Sequence, residues 1–324
     1  MLNINYPKVS VIMGTYNTSK YIGECVESVL NQSFQDFEFI IINDCSTDNT
    51  LKIIKKYEDN RIKIINNNKN VGVAESLNKG LHIAKGKYIA VMDSDDVMMP
   101  ERLQITYNYL EKNKKVFLVG GALYYMEDNG RLIRKDVPLI GYDRIRKRLK
   151  KRSCFWHNTI MFRNDKKTFY RGKFRYAQDY DLFTRLDTKG KRMENIPDIL
   201  AKYRIHNSSS SYSRRTKQNM FADKVREFYK QRLTTGKDKY AAFNPETIMN
   251  LDISNTKNKK ILFDESKTNW MTKEYKKSRK YAWRYIINYG PFTKLTLYYL
   301  GSYMPKFIIM SYRKIKKSLK RKNG

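Results

Sequence analysis

Cysteine is scarce and never paired. Cys25, Cys45 and Cys154 are the whole complement, odd in number and widely spaced, with no C-x-x-C. That disfavours a disulfide framework or a zinc site and fits reduced thiols in a cytoplasmic setting. Long apolar runs are missing too. No stretch reaches the roughly 18 apolar residues of a spanning helix, so no membrane span is expected. The opening MLNINYPKVS has neither a basic stretch nor an apolar core, so no signal peptide is expected. There is no G-x-G-x-x-G after a strand, no G-x-x-x-x-G-K-[ST], no H-E-x-x-H and no G-x-S-x-G. These absences speak against dehydrogenases, P-loop NTPases, zincins and serine hydrolases.

Acidic residues are also in short supply. Against 65 Lys and Arg stand 32 Asp and Glu, a net charge of +33. Two readings stay open: a polyanionic partner, or the Lys- and Asn-rich usage of a low-GC genome. The excess is densest in RIRKRLKKR (144–152) and SYRKIKKSLKRK (311–322). No helix-turn-helix or RNA-reading signature accompanies it, so nucleic acid is not the expected partner. At 324 residues and 41% hydrophobic, the chain can bury a sizeable core in one large domain or two smaller ones.

What is present is an alternation. VSVIMG (9–14), FEFIIIN (37–43), RIKIIN (61–66), KYIAVMDS (87–94) and VFLVGGALYY (116–125) read as buried strands. Helical spacing separates them, with Ser19 as a candidate N-cap, Gly86 as a left-handed stop and Pro100 at a helix start. This order predicts an α/β fold with a mostly parallel central sheet flanked by helices. A mainly helical C-terminal extension follows. AQDYDLFTRLDTKG (177–190) reads as a helix stopping at Gly190, and a Ser-rich tract follows His206. A boundary near 215 separates residues 1–215 from a basic, helical 216–324.

Ligands of open α/β sheets bind beyond the carboxyl ends of the strands. Asp44 and Asp93-Ser94-Asp95-Asp96 lie there. Asp93 and Asp95 fall on one side of an extended backbone and can hold a hard cation, Mn²⁺ or Mg²⁺, against a diphosphate. Asp96 is expected to cap the helix after Pro100. Asp44 can cap a helix or accept a hydrogen bond from a uracil ring N–H. Asp179 can open an amphipathic helix or take a proton from a hydroxyl. His206 reads either as a surface histidine or as a metal ligand or diphosphate donor, with Tyr203 and Arg204 near enough to meet phosphate.

The segments VSVIMGTYNTSKYIGECVESVLNQSFQDFEFIIINDCSTDNT, NVGVAESLNKGLHIAKGKYIAVMDSDDVMMPERL, AQDYDLFTRL and YRIHNSSSS together resemble family 2 glycosyltransferases of the GT-A, Rossmann-like fold. The resemblance covers about the first 210 residues, in order. It implies inverting transfer of one sugar from a UDP-sugar to an acceptor hydroxyl in cell-surface glycan synthesis, with Mn²⁺ or Mg²⁺ as cofactor. Thr15 and Tyr16 match the loop against the nucleotide base, Asp44 the base-reading acid, and Asn78 the helix facing the nucleotide-sugar. Asp93 and Ser94 match the sugar- and ribose-facing part of the metal motif. Asp95 matches its ligand, beside which the separate reading of His206 as a metal ligand would stand, and Asp179 matches the base. Gly14 stands where many members have Pro, Asn43 replaces the first acid of an Asp-Asp pair, and Gln178 replaces the Glu of a Glu-Asp pair. The last two keep an inactive relative in view. The processive Q-x-x-R-W is absent, which implies one sugar per event. Residues 291–310, apolar and aromatic with a basic tail behind them, read either as a packed helix or as a segment lying on the cytoplasmic face of an anionic membrane. The second reading implies a glycan or lipid-linked acceptor.

Overall fold

The computed structural model describes residues 6–206, 215–253, 256–271 and 274–290. The Ser-rich tract after His206 and the 291–322 segment lie outside the described residues. The described residues divide into two compact units, one within residues 6–206 and 218–245, the other within 215–217 and 246–290.

The first unit is built on β1 (Val9–Thr15), β2 (Phe37–Asn43), β3 (Ile62–Asn66) and β4 (Tyr88–Asp93). The four strands are mutually parallel in the order β3-β2-β1-β4. The near-continuous apolar runs of β1, β2 and β4 are the signature of strands covered on both faces, while β3, at the sheet edge, is only partly buried. All seven residues of β2 are buried. Helices α1 (Ile22–Leu30), α2 (Thr50–Ile54), α3 (Val73–Ile83) and α4 (Arg102–Lys112) connect or follow them. Ile22, Cys25, Val26 and Val29 of α1 recur at helical spacing and join the core of β1, β2 and β4.

The second half of the sheet is mixed. β8 (Met161–Arg163) runs antiparallel to both β4 and β6 (Val116–Glu127). β9 (Arg192–Ile205) is parallel to β6, and β5 (Val97–Met98) is antiparallel to β9. β7 (Leu132–Asp136) pairs only with β6. The expected α/β class holds, with parallel order confined to the first four strands and the β6–β9 pair. Helices α5 (Tyr142–Leu149), α6 (Gln178–Thr188) and α7 (Arg215–Thr235) complete this part.

Phe174 sits among Phe221, Phe228, Tyr240 and Phe243 with ring centroids 5.7–6.3 Å apart. This aromatic cluster holds residues 218–245 in the first unit, past residue 215 where the composition changes. The second unit contains helices Glu246–Met249, Lys259–Met271 and Tyr275–Tyr289, the last two joined around buried Leu262 and Tyr285.

Of the two glycines expected to stop helices, one does so and the other serves a different purpose. Gly190, with φ of 69°, is the left-handed residue after α6. Gly86 is not left-handed; α3 stops at Ile83, and a Cβ at Gly86 would lie 2.4 Å from the Ser10 nitrogen. Close approach to β1 requires that glycine, not a turn.

Candidate functional site

Strand register builds the site. Thr15 pairs with Asn43, Asn43 with Asn66, and Gly14 with Asp93. The last residues of four parallel strands therefore share one rim, at the reversal of strand order between β1 and β4. Of the four positive-φ non-glycine residues described, two follow the rim and a third opens α6. Asn17 (51°) follows Tyr16, Cys45 (62°) follows Asp44, and Ala177 (59°) precedes Gln178. Such conformations cost on the order of 1 kcal/mol each and persist where surrounding contacts over-determine them. Thr47 N and Ser46 Oγ hold Asn17 in this way.

Asp44 is buried and already busy. Asn67 Nδ2 and the Val71 N–H donate to Oδ1 at 2.8 and 2.9 Å, and the Gly72 N–H donates to Oδ2 at 2.8 Å. Its own N–H donates to Thr15 O at 2.8 Å. A carboxylate has about four acceptor sites, so Oδ2 keeps one for a ligand. Asp44 does not cap a helix; it holds the 67–72 loop. Asn43 accepts from Ser46 N–H and donates to Asn66. Thr15 is buried and bonded to Thr18, while Tyr16 stands exposed beside it.

The acidic run after β4 separates into different environments. β5 pairs Val97 with Lys202 on β9, which brings the preceding acids against the residues following Lys202. Asp95 Oδ2 thus lies 2.9 Å from His206 Nε2, and His206 packs on Tyr21 at 4.6 Å between ring centroids. Arg204 Nε donates to Asp95 O at 3.0 Å, and its guanidinium pairs with Glu24. Asp96 does not cap the helix after Pro100. It is buried, accepting from Arg204 N–H at 2.8 Å and from Asn158 Nδ2. Burial and the neighbouring acids Asp95 and Asp93 push its carboxyl well above the usual range. Ser94 is buried between them.

Asp95 and His206 fit one cation. Donors about 2.1 Å from an octahedral ion, in neighbouring positions, lie about 3 Å apart. Among the described residues no group of three or more His, Cys, Asp or Glu is placed to hold an ion. A metal here would complete its shell from substrate oxygens and water, as magnesium-type sites commonly do.

Asp179 lies in the first turn of α6, near enough to His157 and Asp93 for their charges to act on it. Burial raises the Asp179 pKa; the charge on His157 opposes it without cancelling it, and Asp93 reinforces it. His157 Nδ1 lies 3.4 Å from Asp93 Oδ1, and its Nε2 is 2.8 Å from the Tyr170 hydroxyl. Burial works against its charge, but contact with Asp93 and the field of Asp179 outweigh it and raise its pKa. Asn78 clamps the main chain of Tyr170, accepting from its N–H at 2.8 Å and donating to its O at 2.9 Å. Its amide is thereby committed to the protein. An unbroken set of contacts runs from Asp44 through the 67–72 loop, α3, Asn78, Tyr170 and His157 to Asp93.

His157, Asn158, Tyr170 and Arg102 were not singled out from sequence. Arg102 is fully buried behind the acids, donates to Val91 O at 2.7 Å and Ile160 O at 3.2 Å, and has its pKa lowered by burial to about 10. Rarity was the available signal for His157, one of three histidines in the chain.

A family profile described as "Glycosyl transferase family 2" matches residues 10–173. An uncharacterised glycosyltransferase of Methanocaldococcus jannaschii is 36% identical over 223 residues, 67% of this chain and 77% of the relative. The O-antigen biosynthesis glycosyltransferase WbnJ of Escherichia coli is 36% identical over 238 residues, 70% and 91% of the two chains. Among solved structures, S. aureus TarS 1-349 in complex with UDP-GlcNAc superposes with a TM-score of 0.56 at 18% identity, covering 95% of this chain and 92% of that one. That likeness concerns the fold.

Proposed function

This chain belongs to glycosyl transferase family 2, and from that premise we propose that it moves one hexosyl or N-acetylhexosaminyl unit from a UDP-sugar to an acceptor hydroxyl with inversion, in cell-surface glycan synthesis. The observation that carries this reading is the register-aligned rim of Thr15, Asn43 and Asp93, joined through His157 to the wall of Asp179. A donor on the rim has its anomeric carbon facing a base.

Thr15, Tyr16 and Asp44 take the nucleotide, with the remaining acceptor site on Asp44 Oδ2 for the uracil N–H. Asp93 and Ser94 face the sugar and ribose. Asp179 takes the acceptor proton as the acceptor oxygen attacks the anomeric carbon. The bond to the β-phosphate oxygen breaks, and its electron pair leaves with UDP. A raised carboxyl pKa suits a base that must bind this proton. Asp95 and His206 would hold Mn²⁺ or Mg²⁺, which when bound neutralises charge on the leaving diphosphate. Asn78 acts through Tyr170. The acceptor is a glycan or lipid-linked glycan, in keeping with the O-antigen role named for the 36% identical relative.

A thermal-shift panel of UDP- and GDP-sugars with and without Mn²⁺ tests the reading, since only ligands of the folded state stabilise it. UDP-sugars should raise the midpoint, and chelation should remove most of the shift. Asp95→Asn is expected to weaken UDP binding about tenfold with Mn²⁺ present and hardly at all without it, by the usual size of a single charge-assisted contact. Stabilisation by GDP-sugars alone would reassign the base.

His157 is a positioning residue for Asp93. His157→Ala is expected to lower kcat/KM about tenfold, the scale of one hydrogen bond to a charged group. His157→Asn, whose Nδ2 can reach where Nδ1 was, should recover part of it. Equal losses in both variants would leave His157 a merely structural part of the wall.

A further inference from the structure

We propose that residues 132–152 form a membrane-docking surface, on which exposed apolar side chains and a cationic helix face together engage an anionic lipid bilayer. The inference rests on the reading of a lipid-linked acceptor and gives it a location within the first compact unit.

The described residues contain twelve exposed large hydrophobics, and four of them, Leu132, Ile133, Val137 and Ile140, fall in nine consecutive positions. They lie on β7 and the link after it, Leu132 and Ile133 on alternate sides of that strand. Among the described residues β7 pairs with β6 alone, which leaves its other edge without a partner strand there. Helix α5 follows at once. Its Ile145 and Leu149 are buried, and Arg144, Lys147 and Arg148, with Lys151 in the turn after it, recur at i, i+3, i+4 and i+7, all exposed. That spacing makes one cationic stripe on the outward face. From 131 to 152 there are ten Lys and Arg against Asp136 and Asp143.

The excursion is pinned around α5, because one buried side chain ties the link before that helix to the chain after it: Asn195 Nδ2 donates to Leu139 O and to Cys154 O, each at 3.0 Å. It also borders the site at both ends. Asp128, in the turn before β7, accepts from Tyr21 and Lys20 and gives its carbonyl to Arg204. His157 follows three residues after Cys154.

Charge alone would suit any polyanion, but a soluble one has no use for four exposed aliphatic side chains. Peripheral membrane binding uses both: apolar burial at the headgroup boundary and cations facing anionic lipid. A bilayer docked here brings a lipid-linked acceptor to the rim carrying Asp95 and His206.

The test is co-sedimentation of the full chain with vesicles of phosphatidylglycerol and phosphatidylcholine at 0.15 M salt. Each cation near an anionic surface is worth roughly fivefold in affinity. The Arg144→Gln/Lys147→Gln/Arg148→Gln/Lys151→Gln variant should therefore bind about a hundredfold more weakly or worse. Leu132→Ser/Ile133→Ser should weaken vesicle binding while leaving affinity for a DNA oligonucleotide unchanged. Both variants change exposed positions and should unfold like wild type. Vesicle binding unchanged in both, or lost only when the 311–322 cations are replaced, overturns the proposal. Equal losses toward vesicles and DNA in the Ser variant, or none toward vesicles, overturn it in favour of a soluble polyanion. Vesicle binding needs no donor, so a failure to bind UDP-sugar would count against the proposed function and leave this surface to be judged by itself.

Discussion

Asp179→Asn is expected to lower transfer by about 10²–10⁴-fold, the usual contribution of a general base, with UDP-sugar binding close to wild type. The amide has the same shape and cannot accept the proton, so the ground state is kept and the attack loses its base. The pH profile gives the sign. Asp179 works as the carboxylate, and burial raises its pKa above the ordinary value, so the acid limb of kcat/KM should lie at higher pH than for an exposed aspartate. Below that limb the base is protonated and transfer falls; above it transfer is full. The variant should lose the limb along with the rate. Near-wild-type turnover by Asp179→Asn, with the acid limb intact, would move the base elsewhere. Gln178 then offers a second arm, because Gln178→Glu should restore nothing in the Asn variant if the position serves only to orient the acceptor.

Asp44→Ala should be costly for stability as well as for binding. Three donors end on this carboxylate: Asn67 Nδ2 and the N–H groups of Val71 and Gly72. Each buried donor without a partner costs about 1–3 kcal/mol. Asn67 is buried, whereas Val71 and Gly72 are half-buried and can recruit water. A loss of about 3 kcal/mol in the unfolding free energy of the first unit is therefore expected, by that same range. Loosening the 67–72 loop should also weaken UDP binding by about tenfold or more. Asp44→Asn keeps one oxygen for Asn67 and Val71 and presents N–H to N–H at Gly72, so it should cost about 1 kcal/mol. An alanine variant as stable as wild type in urea would mean that the loop does not depend on Asp44.

Much of this arrangement was legible in the chain. The apolar runs of the first strands, the apolar spacing of α1 and the strand-terminal acids follow from periodicity, because a strand buried on both faces is mostly apolar, with an interior polar residue such as Glu38 needing its own partners, and charge gathers at its end. Gly190 was readable for the same local reason. Gly86 was not, since the backbone it approaches belongs to a distant strand. Asp96 was misread as a cap because its partners, Asn158 and Arg204, lie 62 and 108 residues along the chain. His157 carried no local pattern at all.

The amino-acid order by itself determined the first four strands, β6 and the helices between them, the α/β class and which acids stand at the rim, since those depend on neighbours a few residues away; β5, β7, β9 and α5 were not legible in it. Only the tertiary structure decided what each acid does: Asp44 holds a loop, Asp95 meets His206, Asp96 is buried among donors, and Asp179 is tuned by burial and His157. A carboxylate's role is fixed by desolvation and by the donors that reach it, and those are supplied by strand pairings that no local stretch of sequence contains.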